Sequence, residues 1–129
     1  MNKKLLVTGS ILGILGIILG AFAAHGLEEL VDESAIDSFK TGVRYQIYHA
    51  FLLLFIGATS FLTNKAKSAI YILVIVGVVF FSFSIYGLAT NGLTSFDFKT
   101  VAFITPIGGL LLILAWIVML INILKSKTL

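Results

Sequence analysis

The chain has no cysteine, one proline, and only 12% charged residues against 59% hydrophobic ones over 129 positions. Without cysteine it has no disulfide, no thiolate metal site and no thiol nucleophile, and it gives no redox clue to its compartment. The scarcity of charge excludes more. Soluble domains run at about 45–50% apolar and about 25% charged residues, and a soluble core of this size would leave far too much apolar surface in water. A secreted soluble module, a disordered tail and a nucleic-acid binder are excluded, and the net charge of +3 is no sign of nucleic-acid affinity. What the chain has in abundance is long apolar runs, enough for one membrane domain.

Leu5 to Ala24 carries no charge, and at about 1.5 Å per residue it covers a hydrocarbon core roughly 30 Å thick. Three further apolar runs follow. Backbone in lipid must satisfy its own hydrogen bonds, and no alternating barrel pattern is present. Residues 1–129 are therefore expected to form a single all-α membrane domain, an up-down bundle of four transmembrane helices at about 5–24, 43–62, 69–89 and 101–124. Lys3 and Lys4 ahead of a run ending Ala21-Phe22-Ala23 imitate a signal peptide. The run is longer than the about 7–15 apolar residues of a signal and three more follow it, so it reads as a retained helix.

Charge placement orients the bundle. The N-terminus, the second connection and the C-terminus carry Lys3, Lys4, Lys65, Lys67, Lys125 and Lys127, while the other side has Lys40, Arg44 and Lys99. An excess of basic residues marks the cytoplasmic side. Both termini are expected there, in the cytoplasmic membrane. Glu28, Glu29, Asp32, Glu33, Asp37 and Asp97 all fall on the opposite side.

The segment Leu27 to Gln46 is too polar to span. After Gly26 stops the first helix, Asp32 or Ser34 can cap a second, and Ser34 with Asp37 has capping-box spacing. Ile36, Phe39, Val43, Ile47 and Ala50 then share one face. The second helix is expected to start outside the membrane near Ser34 and to run to about Leu62, its amphipathic outer segment free to bend at Gly42. Gly9, Gly13, Gly16, Gly20 and Ala23 form a stripe of small residues on the first helix that lets a neighbour approach closely. That stripe can pack the bundle, join two copies or line a ligand path, and packing is the commoner use. In the fourth span Pro106, followed by Gly108 and Gly109, predicts a bend.

The polar residues of the spans gather in the outer half: His25, Arg44, Tyr45, His49, Ser84, Tyr86, Asn91 and Thr105. His49 is the most telling, because an ionisable group at that depth is costly and faces the bundle interior. It is either a ligand, proton or metal contact or a neutral imidazole satisfied by a neighbouring helix. His25 precedes a helix-stopping glycine, where the dipole favours it in any case. Arg44 can snorkel or meet a headgroup phosphate. There is no G-x-S-x-G, no H-E-x-x-H and no phosphate loop. The two histidines and the nearby acids match no known metal-ligand spacing, and a bis-His haem between the ends of the first two helices has equally little support. No metal and no cofactor are expected.

Gly20-Ala21-Phe22-Ala23-Ala24-His25-Gly26-Leu27, Thr41-Gly42-Val43-Arg44-Tyr45-Gln46-Ile47-Tyr48-His49-Ala50, Phe81-Ser82 with Tyr86, and Thr105-Pro106-Ile107-Gly108-Gly109 with Trp116 resemble the family catalogued as domain of unknown function 423. Its members are small multi-pass membrane proteins of bacteria, with eukaryotic relatives called transmembrane protein 256. Ala23 stands where members often have Gly, and Arg44 where many have Gln. The resemblance implies an integral protein of the cytoplasmic membrane and supplies no reaction. The expectation is a non-enzymatic protein whose outer polar cluster binds a lipid headgroup or a membrane-protein partner. The alternatives are a small transporter or channel with His49 sensing protons and, behind it, a metal or haem binder.

Overall fold

The computed structural model describes residues 1–127 and 129. The first helix, α1, spans Lys3–His25; Asn2 caps it, its side chain accepting from the Leu5 amide at 3.2 Å. Gly26 ends it, and a short 3-10 turn, Leu27–Glu29, leads onward. The second, α2, spans Glu33–Ala58. Of the two offered caps, Asp32 is used, accepting from the Ala35 amide at 2.8 Å. The helix runs unbroken through Gly42 and ends four residues short of the expected Leu62. Thr59 turns to extended backbone, and the Thr63 hydroxyl caps the next helix at the Ala66 amide, 3.1 Å away. The local bond of the Thr63 hydroxyl to the backbone outweighs the apolar count there.

The third helix, α3, spans Asn64–Ala89, starts before the expected Ala69, and contains a π turn at Val79–Phe83. The fourth, α4, spans Ile104–Lys125. Pro106 is thus in its first turn, among amides that have no intrahelical acceptor, so the proline costs no ladder bond and the expected bend loses its cause.

The four helices pack antiparallel in chain order. Phe39 of α2 joins Ala23 and Leu27 in one cluster, Gly16 meets Ile47, Gly9 meets Ala50, and the Asn2 amide donates to the Gly57 carbonyl at 2.8 Å. Most of the glycine stripe therefore packs α1 on α2: a Cβ at Gly9 would lie 2.9 Å from the Ala50 oxygen and one at Gly16 2.5 Å from Ile47. Gly20 touches Val43 more loosely, and Gly13 has nothing within 4 Å, opening on an apolar groove of about 570 Å³ between α1 and α2. On the other side Gly108 of α4 presses on the backbone of Phe80 and Phe81, beside the packing of Gly77 on Leu112. Gly109 is less confined, 3.5 Å from the Phe81 ring.

The buried face of α2 is rotated from the expected one. Phe39, Gly42, Gln46, His49, Leu53 and Ile56 are buried, whereas Ile36, Val43 and Ile47 are half-buried. Lipid offers no hydrogen bonds, so the polar residues turn inward. Among the described residues, three stretches are long and apolar enough to cross a membrane: Lys3–Glu29, Asn64–Ala89 and Ile104–Lys125. The expected fourth, α2, falls short by composition because Arg44, Gln46 and His49 interrupt its apolar run.

Candidate functional site

The polar side chains of α2 meet the other three helices within about two helical turns. Gln46 is 0% exposed; its Nε2 donates to the Leu12 carbonyl of α1 at 2.9 Å, and its Oε1 accepts from the Tyr86 hydroxyl of α3 at 2.7 Å. The Leu12 carbonyl also serves its own helix, but an oxygen has two lone pairs. Gly16, one turn on, has no side chain to cover it: a Cβ there would come within 3.6 Å of Gln46 Nε2.

His49, 3% exposed, points toward α4. Its Nε2 accepts from the Trp116 indole at 3.1 Å, with the rings edge to face, and its Nδ1 lies 2.7 Å from the Tyr45 carbonyl. A carbonyl can only accept and an indole N–H can only donate, so the pair selects a neutral imidazole protonated at Nδ1. Both ring nitrogens are therefore engaged by protein groups.

The π turn of α3 completes the junction. Ser82 Oγ donates to the Gly42 carbonyl of α2 at 2.7 Å, and Gly42 lets α3 come this close, since a Cβ there would lie 2.7 Å from the Tyr86 ring and 3.2 Å from the Ser82 carbonyl oxygen. Ser84 Oγ bonds to the Phe80 and Phe81 carbonyls and is 2.6 Å from the Thr105 hydroxyl at the start of α4. A π turn releases carbonyls from the regular ladder, and a serine within reach can satisfy them.

Of the residues singled out from the sequence, the structure brings together His49, Tyr86, Ser84 and Thr105, with Tyr45 at the edge. Tyr45 contributes its carbonyl; its ring is partly exposed and lies edge-on to Phe81 and Tyr48. His25 and Arg44 are exposed and stand apart. Because Phe39 shares a cluster with Ala23 and Leu27, His25 lies near the level of Phe39, roughly 15 Å along the axis from His49. One haem iron cannot take both imidazoles. Asn91 instead orders the loop before α4, accepting from the Phe98 amide at 2.7 Å and donating to Asp97 at 3.3 Å.

Gln46, Ser82 and Trp116, named from the sequence only within the motifs that carry the family resemblance, are site residues that the sequence reading did not place in the polar cluster. Gln46 carried a signal, since it follows Gly42 by four and precedes His49 by three, on the same helical face. Between α2, α3 and α4 a lateral cavity of about 280 Å³ opens, lined by Tyr45, His49, Phe81, Leu112 and Trp116. Its walls are apolar and aromatic, with the His49–Trp116 pair as the polar feature.

A model of the family described as protein of unknown function DUF423 matches residues 19–109, the stretch that holds Gln46, His49, the π turn and Thr105. The chain belongs to the DUF423 family. It is 33% identical over the full length of both chains to a UPF0382 membrane protein of Haemophilus influenzae. It is also similar to the UPF0382 membrane protein SH2409 of Staphylococcus haemolyticus, at 35% identity over 95% of this chain and 97% of the relative. With the UPF0382 membrane protein YwdK of Bacillus subtilis it shares 34% identity over 95% of this chain and 98% of the relative. No solved structure matches. This DUF423 chain is accordingly a membrane protein, of a family whose function is not known.

Proposed function

We propose that the chain is a non-enzymatic, lipid-binding protein of the cytoplasmic membrane, with four helices crossing the bilayer and both termini on the cytoplasmic side. The crossing of α2 is supported by its pairing with α1. From Phe39 beside Ala23 to Gly57 beside Asn2, α2 accompanies α1 over roughly 27 Å, so if α1 crosses, α2 traverses the same depth. Sidedness rests on the lysines, because Lys3, Lys4, Lys67, Lys125 and Lys127 line two adjoining cavities at one end of the bundle, whose basic excess suits the cytoplasmic face.

Lipid binding is carried by the lateral cavity at His49 and Trp116. Its partners inside the protein are complete, so it offers shape, aromatic surface and ring edges and no reactive nitrogen, which suits an acyl chain or the glycerol region of a lipid better than catalysis. Purification in mild detergent followed by native mass spectrometry tests this. Retained lipid that is lost from a Trp116→Ala variant of unchanged fold supports it; a chain that carries no lipid removes it. The rival reading, a transporter with His49 as proton sensor, would instead require pH-dependent flux in liposomes that His49→Ala abolishes.

A further inference from the structure

The lysine-rich end of the bundle, remote from His49, holds a cavity of about 510 Å³ whose wall includes Lys3, Lys4, Thr59, Asn64 and Lys67. Lys67 is only 5% exposed, and its ammonium donates to the Thr59 carbonyl, one acceptor for three N–H groups. A buried ammonium is ordinarily offset by a carboxylate. Here every acidic side chain falls at positions 28–37 or 97, past the far end of α1, a helix of 23 residues and so roughly 34 Å long. The Thr59 hydroxyl on the same wall is buried and, among the described residues, without a hydrogen-bond partner.

Two helix N-termini converge on this cavity. In α1 the Asn2 side chain takes the Leu5 amide and the Asn2 amide goes to Gly57, so the amides of Lys3 and Lys4 have no intrahelical acceptor. In α3 the Thr63 hydroxyl takes the Ala66 amide, and Asn64 is left in the same condition. Lys4 lies with its ammonium 4.5 Å over the Tyr71 ring, which holds it against α3.

We propose that this cavity is a phosphate-binding site. A buried cation lacking a counter-ion, an orphan hydroxyl and helix amides on two sides are the donors that a tetrahedral, multiply accepting anion takes up. Lys67 and the Thr59 hydroxyl hold its inner oxygens, the amides of α1 and α3 the flanking ones, and Lys3 closes the open side. The phosphate belongs either to a phospholipid headgroup at the membrane face or to a soluble phosphate ester. The site is independent of the lateral cavity near Trp116, and either can fail alone.

The test uses the full-length protein in mild detergent with two probes, inorganic phosphate followed by thermal shift and phosphatidylglycerol against phosphatidylcholine in nanodiscs followed by native mass spectrometry. The expected result is binding of at least one anionic probe over phosphatidylcholine, weakened about tenfold or more by Lys67→Gln. Lys67→Gln can impair folding, so a Lys3→Gln/Lys4→Gln pair, both exposed, provides a second route to the same loss. Lys125→Gln/Lys127→Gln removes equal charge from the neighbouring cavity and is expected to leave binding unchanged. Phosphate alone binding identifies a soluble source; phosphatidylglycerol retained against competing phosphate identifies a headgroup. Absence of binding by both probes, or equal weakening by the Lys125/Lys127 pair, overturns the assignment.

Discussion

A Cβ on Gly108 would lie 2.4 Å from the amide nitrogen of Phe81, so α4 touches the backbone of α3 where the latter makes its π turn. The neighbour is backbone, which cannot swing aside as a flexible side chain would. Gly108→Ala is expected to destabilise the protein by about 1–3 kcal/mol through overpacking. Gly109→Ala, facing the Phe81 ring at 3.5 Å, and Gly13→Ala, facing open space, are expected to cost little. Unfolding in detergent micelles compares the three; equal effects would mean that helix propensity, not contact, governs these positions.

Gln46 and Tyr86 share one hydrogen bond inside the bundle, so their substitutions should not add. Gln46→Leu and Tyr86→Phe are each expected to lower stability, with a coupling of about 0.5–1.5 kcal/mol in a double-mutant cycle. Strict additivity would show that the bond contributes nothing.

His49 has a protonation pattern that can be read directly. Nitrogen chemical shifts of labelled histidine are expected to report a neutral ring protonated at Nδ1, and Trp116→Phe should move Nε2 toward its unbonded value. A ring found protonated at Nε2 would contradict the indole bond of Trp116.

Pro106 stands where helix α4 begins, so Pro106→Ala should change stability by no more than about 0.5 kcal/mol. Thr105→Ala, which takes the partner from Ser84, should cost about 1 kcal/mol. A large loss for Pro106→Ala would restore a structural role for the proline.

Orientation can be measured because the chain has no cysteine of its own. With single cysteines at Ser34 and Lys65, an impermeant thiol reagent applied to intact cells should label position 34 only. Labelling at 65 alone would invert the topology.

Much of this architecture was legible beforehand, and the exceptions share a cause. The extent of α1 follows closely from the charge-free run Leu5 to Ala24 with Gly26 after it, and the start of α2 was narrowed to Asp32 or Ser34, because both depend on neighbours in sequence. The π turn depends on Gly108 arriving from another helix and on Ser84 taking up freed carbonyls, neither of which leaves a local pattern. Gln46 falls at the end of the segment too polar to span, and nothing local marks it as buried because its partners, Leu12 and Tyr86, are 34 and 40 residues away. Pro106 was read as a kink because the helix start depends on the loop that Asn91 orders. The polar cluster was visible as a set of residues, but its bonding was not, and the bonding is what distinguishes His49, with both nitrogens engaged, from an open ligand.

The ties through Gln46, His49 and Ser82 all fall within about two helical turns, each spanning between helices. A single helix cannot ratchet a turn past its neighbours without stranding polar groups in hydrocarbon. A bilayer that thickens or thins around this protein therefore meets a body that tilts or deforms the lipid as one piece, its packed helices moving together. That makes the whole molecule, more than any one of its helices, the unit that responds to membrane thickness.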